Sequence, residues 1–390
     1  MSITTQALVS RQVNSSVELE NIVLDPLRPD EVLVEIHATG VCHTDFACMN
    51  GTLPAVFPSV FGHEGKKAHH IIQCIHDLTA DFSIGGGVVL EVGRNIKHLQ
   101  KQDRVLLSFD SCGSCVQCDS KHPAYCQEWA QRNFGQKRMD GSLSLSTVDG
   151  TRLHGNFFGQ SSFARHTIVM GNSVVKVPSD TPLGVFSPLG CGVQTGAGAI
   201  LNTLDVQPGK SVAIFGVGSV GMSAVMAAKM RGASTIIAID LQTERLELAK
   251  QLGATHGVIG SDEDVVAQIQ KISGSNGVNY SVDCAGIPSV VEKALDCLGT
   301  RGKGATVGAP APGKRAGVEV FAHLVMGRQY IGCCEGDSDP QQMIPYLIEQ
   351  HGKGQFPLDK IVKFYPVEDY ETAFKDIKSG KALKAVLLWK

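Results

Sequence analysis

The sequence predicts an α/β protein built from a β-rich, barrel-like domain and a domain with a doubly wound parallel sheet. Residues 1 to about 190 carry short period-2 runs broken by Gly and Pro, such as Glu31-Val-Leu-Val-Glu-Ile36, Gly87-Val-Val-Leu-Glu-Val92 and Arg104-Val-Leu-Leu-Ser108. From about residue 210 the pattern changes to strands that alternate with helices, which implies a parallel sheet. The length of 390 residues suits two or three domains.

The elements of the second part follow in order. Ser211-Val-Ala-Ile-Phe215 reads as a buried strand, and a helical run extends from Ser219 to about Arg231. Thr235-Ile-Ile-Ala-Ile239 is the next strand, followed by a helix through Leu246 and Leu248 to Leu252. Tyr280-Ser-Val-Asp283 and Gly304-Ala-Thr-Val307 read as further strands. The closing strand Lys384-Ala-Val-Leu-Leu388 is expected to return to the first domain.

Composition narrows the function. At 43% hydrophobic and 19% charged the chain has the balance of a globular protein with a full core. A net charge of −3 with no basic run argues against nucleic acid or an anionic membrane as partner. No stretch reaches the roughly 18 apolar residues of a membrane span. The start, Met-Ser-Ile-Thr-Thr-Gln-Ala, does not read as a signal peptide. Twelve cysteines then point to a reducing compartment, and a cytoplasmic location is expected.

Four of those cysteines stand at Cys112, Cys115, Cys118 and Cys126. Three recur every third residue, too close to pair as separate disulfides without strain. Four thiolates at this spacing suit one tetrahedral zinc in a closed structural site, within a lobe spanning about 108–130.

Directly after Phe215 comes Gly216-Val-Gly218-Ser-Val-Gly221. The first Gly makes the turn, the second lets the backbone approach a pyrophosphate, and the third allows close strand–helix packing. The phosphates would sit on the helix N-terminus. Asp240, 19 residues past Gly221, ends the next strand and can accept both adenosine ribose hydroxyls. Its charge repels a 2′-phosphate, and Leu241-Gln242-Thr243 offer no cation, so NAD is expected over NADP.

Three further segments carry borderline-soft ligands: Gly40-Val-Cys42-His43-Thr44-Asp45, Gly62-His63-Glu64-Gly65 and Gly190-Cys191-Gly192. Two thiolates and one imidazole leave a fourth zinc position open, as catalysis requires.

Over essentially its whole length, with these motifs in the same order, the chain resembles the zinc-containing medium-chain alcohol dehydrogenases. Within them it is similar to the aryl or benzyl alcohol branch, which carries a stretch like Glu335-Gly336-Asp337-Ser338-Asp339-Pro340. The resemblance implies a GroES-like catalytic domain over 1–190, a Rossmann NAD-binding domain over 191–335, and a return to the catalytic domain over 336–390. It implies catalytic zinc on Cys42, His63 and Cys191, with Glu64 as a carboxylate that can visit the metal and Asp45 orienting His63. It implies structural zinc on the four-cysteine lobe. Thr195 and Lys384 are implied on the cofactor, Lys384 near the pyrophosphate. His43 takes a pyrophosphate-facing position often held by Arg.

The chemistry implied is reversible hydride transfer between a primary alcohol, benzylic, furanic or allylic, and NAD. Thr44 would hydrogen-bond the substrate oxygen and start the proton's way out; Ala47 stands where several relatives continue the relay with His, so the relay is shorter or runs through water or the cofactor ribose. A homodimer is expected. The resemblance extends to fungal secondary-metabolite clusters such as that of patulin. Two other readings stay open. One is a glutathione-linked formaldehyde dehydrogenase. The other is a zinc- and NAD-binding protein made inactive by an insert.

That insert occupies 66–85. The family reads His-Glu-Gly-x-Gly-Val-Val without a break; here His63-Glu64-Gly65 is followed by twenty residues before Gly86-Gly87-Val88-Val89 resumes. The segment reads as a translated intron, since Gly65-Lys66 and Ile84-Gly85 are compatible with splice-site codons. The competing reading is a genuine loop whose His69, His70, Cys74 and His76 bind metal.

Overall fold

The computed structural model describes residues 2–66, 87–274 and 276–389. The chain divides into two compact units: Met1–Cys191 with Asp339–Ile348 and Leu358–Lys390, and Gly192–Ser338 with Glu349–Pro357. Residues 336–338 and 349–357 thus group with the second unit, and Cys191 with the first, whereas the sequence reading placed all of 336–390 with the first and 191 with the second.

Among the described residues, the first unit is built on three sheets. In one, Ile3–Ser10 pairs antiparallel with Val17–Leu24 along its full length and with Ser59–Val60 on its other side. In the second the order is His166–Met170, Glu31–Glu35, Gly87–Val92, Arg104–Leu107, Val174–Lys176, all antiparallel. The alternating runs read from sequence are these strands. Their inward residues, among them Val9, Val32, Val34, Val60, Val105 and Leu107, join one core with Phe61, Phe157 and Phe163. The third sheet orders Val362–Pro366, Lys384–Leu388, Ala38–Gly40 and Gly65–Lys66. Lys384–Leu388 returns to the first unit as expected, pairing antiparallel with Ala38–Gly40.

The second unit holds a six-stranded sheet, parallel throughout. Its order is His256–Ile259, Thr235–Asp240, Ser211–Phe215, Val278–Asp283, Leu298–Thr306, Gln329–Gly332. Numbered along the chain this is 3-2-1-4-5-6, so the direction of winding reverses beside Ser211–Phe215. In doubly wound sheets ligands bind outside the carboxyl ends of the strands at such a switch point. The fully buried run Val212-Ala213-Ile214-Phe215, whose side chains alternate between faces, fits a sheet covered on both faces. Among the described residues no helix is long and apolar enough to cross a membrane.

Candidate active site

His63 sits in a segment that tolerates little change. Gly62 has φ +85°, and a Cβ there would fall 2.4 Å from the backbone N of Phe163, so only glycine fits. The His63 ring stacks on Phe158 at 4.4 Å and meets Phe157 edge-on. Gln160 Nε2 donates to His63 O and to Ser108 O, both at 3.0 Å. Ser162 Oγ accepts from Glu64 N–H at 3.1 Å. Sequence reasoning missed Phe158, Gln160 and Ser162. The one local signal was their crowded Phe157-Phe158-Gly159-Gln160-Ser161-Ser162-Phe163 run, in which Phe158, Gly159 and Ser161 all take positive φ.

Asp45, on the helix His43–Met49, ties two of the motifs together. Its Oδ2 accepts from Cys42 N–H at 3.0 Å, and its Oδ1 accepts from Gly62 N–H at 3.1 Å. The same Oδ1 lies 3.0 Å from His63 Nδ1. A carboxylate can only accept, so the proton belongs on Nδ1 and the Nε2 lone pair is free for metal. Cys191 follows the turn Ser187–Gly190, which lies so close to the strand Arg104–Leu107 that a Cβ on Gly190 would fall 1.9 Å from Leu107 O. His63 Nε2 is 3.2 Å from Cys191 Sγ.

Ligand atoms of Cys42, His63, Glu64 and Cys191 all lie within 4.8 Å of one another. The hydrogen bond from Cys191 and the charge of Lys384 pull the Cys42 thiol well below its ordinary value, against its burial. Burial resists charge on His63, yet Asp45 and Cys42 hold it well above the usual imidazole value. Burial pushes the Glu64 carboxyl up to about 7, even with the Lys384 ammonium beside it. Two thiols and a carboxyl packed against a single ammonium suit a divalent cation, and the N/S donor set suits zinc. Lys384 Nζ donates to Glu64 Oε1 at 2.8 Å and to Val41 O at 3.2 Å, and the pair is buried. Thr44 Oγ1 stands 3.7 Å from Cys42 Sγ and is half-buried; His43 is exposed, edge-on to Phe46.

The second cysteine group answers to simple geometry. Sγ separations are 3.8 Å for Cys112–Cys118 and 3.6 Å for Cys115–Cys118. A zinc tetrahedron with Zn–S of about 2.3 Å has an edge of about 3.8 Å. Backbone N–H groups aim at the sulfurs: Cys115 and Ser114 donate to Cys112, Cys112 to Cys126, and Gln127 to Cys115. The Gln127 N–H leads in drawing the Cys115 thiol down to about 6, while burial pushes Cys118 up to about 12. Described cysteines form no disulfide. His69, His70, Cys74 and His76 lie outside the described residues.

In the second unit each glycine of the turn has its own reason. Gly216 has φ +84°; a Cβ on Gly221 would fall 2.1 Å from Gly216 O; a Cβ on Gly218 would meet nothing within 4 Å. The last leaves bare backbone facing open space at the start of the helix Ser219–Met230, where a pyrophosphate fits. Asp240 Oδ2 accepts from Val217 N–H at 2.9 Å and Oδ1 from Gln242 N–H at 3.1 Å. Residues 241–243 bring no cation, but the helix Thr243–Leu252 turns Arg245 back so that its Nη1 lies 3.7 Å from Asp240 Oδ2. Thr195 Oγ1 donates to Glu335 Oε2 at 3.4 Å, and Asn202 Nδ2 donates to Gly336 O and Asp337 O, which holds the Glu335–Ser338 stretch against the helix Gly192–Gly198 and the turn Ala199–Thr203 that continues it.

Comparison with known proteins agrees with this geometry. The profile of the alcohol dehydrogenase GroES-like domain matches residues 28–66 and 81–179, and that of the zinc-binding dehydrogenases matches 219–349. The first match breaks inside the segment 66–85. A geraniol dehydrogenase of Castellaniella defragrans is 38% identical over 389 residues, covering 99% of this chain and 98% of its own. The crystal structure of an alcohol dehydrogenase zinc-binding domain protein from Burkholderia ambifaria shares 42% identity at a TM-score of 0.92, covering 100% and 99% of the two chains. That of benzyl alcohol dehydrogenase from Acinetobacter calcoaceticus shares 39% at 0.91, covering both chains fully.

Proposed function

The chain belongs to the zinc-binding medium-chain alcohol dehydrogenases, and we propose that it interconverts a primary benzylic, furanic or allylic alcohol and its aldehyde with NAD. The observation that carries the reading is the set Cys42, His63 and Cys191 gathered in one buried cluster, with Asp45 fixing the imidazole. Zinc held there supplies Lewis acidity to the alcohol oxygen, and nicotinamide supplies the hydride acceptor. Thr44, at the rim of the cluster, would accept the alcohol's proton as it gives up its own hydroxyl proton. Ala47 has no group to take that proton, so beyond Thr44 it would have to leave to solvent. The catalytic work falls to the first unit, and cofactor binding to the second through Gly216, Gly218, Gly221, Thr195 and Asp240; Lys384, expected on the pyrophosphate, is instead buried against Glu64. Likeness over nearly full length to a geraniol and a benzyl alcohol dehydrogenase supports a primary alcohol next to a double bond or an aromatic ring as substrate. A role in fungal secondary metabolism has only the sequence resemblance behind it.

The test is NADH formation from benzyl alcohol, geraniol and furfuryl alcohol by the purified protein, with zinc content measured in parallel. Absence of turnover with both zinc sites filled sinks the substrate class; a preference for NADP sinks the cofactor reading.

We also read the protein as a cytoplasmic homodimer. On the helix Val320–Met326 the residues Val320, Phe321, Leu324 and Val325 are all more than half exposed, and the neighbouring strand Gln329–Gly332 is the edge of its sheet. An apolar patch beside a strand at the edge of its sheet suits a second copy across a two-fold axis. A monomer by light scattering would refute this.

A further inference from the structure

We infer that Gly40 and Lys384 together hold the Glu64 carboxylate off the fourth coordination position, so that Gly40 is a positioning residue for the catalytic metal. The inference rests on reading Cys42, His63 and Cys191 as zinc ligands.

Glu64 follows the ligand His63 and is fully buried. Its Oε1 is taken by Lys384 at 2.8 Å. Its Oε2 has no hydrogen-bond partner among the described residues and lies against the bare Cα of Gly40. A Cβ on Gly40 would fall 1.9 Å from that oxygen, 3.0 Å from Glu64 Cδ and 3.1 Å from Glu64 Cβ. Gly40 is not among the positive-φ residues, so its backbone does not call for glycine; the space above it does. Nor can the strand yield. Gly40 N–H donates to Glu64 O at 2.7 Å, and Gly40 pairs with Val386 in the sheet.

Any side chain at 40 must therefore push the carboxylate away from Gly40, and the ligand atoms of Cys42, His63 and Cys191 lie within 4.8 Å of it. Zinc takes a carboxylate oxygen at about 2.0–2.2 Å; three protein ligands leave a site open for chemistry, and four close it. Glycine at 40 is what keeps a four-ligand group working as a three-ligand site. Lys384 acts from the other side by occupying Oε1.

The test compares the wild-type holoenzyme with Gly40→Ala. Zinc retained after the structural zinc is accounted for should leave to a chelator about tenfold more slowly in the variant. Turnover should fall about 100-fold. In cobalt-substituted protein, added imidazole should shift the visible spectrum of the wild type and leave that of Gly40→Ala unchanged. Gly40→Ala/Glu64→Asp, with a carboxylate one methylene shorter, should regain the imidazole response and most of the turnover. An imidazole response in Gly40→Ala equal to the wild type overturns the inference, as does faster metal loss. If Gly40→Ala does not fold, Lys384→Met releases the carboxylate from the other side; slower metal release supports the inference and faster release overturns it. A wild type that holds only the four-cysteine zinc would instead defeat the reading of Cys42, His63 and Cys191 as a metal site.

Discussion

Asp45 Oδ1 stands 3.0 Å from His63 Nδ1, with both side chains buried and the same oxygen bonded to Gly62 N–H. The carboxylate fixes ring orientation and tautomer together. Asp45→Asn can present an amide N–H to Nδ1 and so favour the wrong tautomer. Affinity for the catalytic zinc should drop about 10- to 100-fold, with turnover falling alongside. Competition with a graded series of chelators measures the first; unchanged affinity would show that Asp45 only caps its helix.

Cys115→Ser should cost the lobe its metal while leaving the catalytic site able to bind. Zinc content then falls by about half, since a closed tetrahedral site needs all four thiolates. The lobe folds around metal, so thermal stability should fall as well. Metal analysis together with a melting curve checks both; full zinc content would refute the four-thiolate site.

We propose that Asp240 and Arg245 together set the choice of cofactor. Asp240→Asn removes the charge that repels a 2′-phosphate and leaves Arg245 in place to attract it. The ratio of NADP to NAD affinity should rise about tenfold or more, the effect of one charge interaction near a protein surface. Arg245→Ala in that background should take the gain away. Calorimetric titration of both nucleotides reads this without turnover, and an unmoved ratio counts against Asp240 as the discriminating group.

The segment 66–85 makes its own prediction. A chain lacking it restores His-Glu-Gly-Gly-Gly-Val-Val and should bind catalytic zinc and turn over at least as well as the full chain. Transcripts read across codons 60 to 90 should lack it as the main species. A full chain that is active, from transcripts that retain the segment, would make it a genuine loop.

Acid stability should depend on Asp376. Tyr365 Oη donates to Asp376 Oδ2 at 2.6 Å and Lys363 Nζ at 2.9 Å, and the Tyr365 bond leads in holding the carboxyl down at about 2. A depressed carboxyl stabilises the fold above its unfolded value of about 3.9. That contribution is lost as pH falls from about 4 through about 2. Urea midpoints of wild type and Asp376→Asn should converge as pH drops across this window. Parallel curves would rule Asp376 out.

What the sequence made legible follows from range. Ser211–Phe215, Gly87–Val92 and Lys384–Leu388 begin and end where their hydrophobic patterns do. Gln329–Gly332 is an edge strand, half exposed, with no apolar run to betray it. Cys42, His63, Cys191 and the four lobe cysteines stood out because metal chemistry restricts residue type. Their supports did not. Gln160 reaches His63 O across 97 residues and Lys384 reaches Glu64 across 320, and no local pattern encodes such contacts. Arg245 escaped for a subtler reason: only a helical turn brings it back to Asp240, past the three residues beside the acid.

The strand Lys384–Leu388 lies beside Ala38–Gly40, so the sheet that Glu64 leads into is completed by chain made long after it. During synthesis the stretch Gly192–Ser338, continuous in sequence, emerges whole before that strand exists. Domains tend to form in the order they leave the ribosome, and distant strand pairing is slow. The middle of the chain can therefore mature while the first sheet still waits for its last member. In that interval residues 42, 63 and 191 are already translated and Lys384 is not. Metal arriving then would meet a Glu64 with no ammonium to answer it, and the order in which ion and lysine reach the carboxylate becomes part of how the nascent chain is assembled.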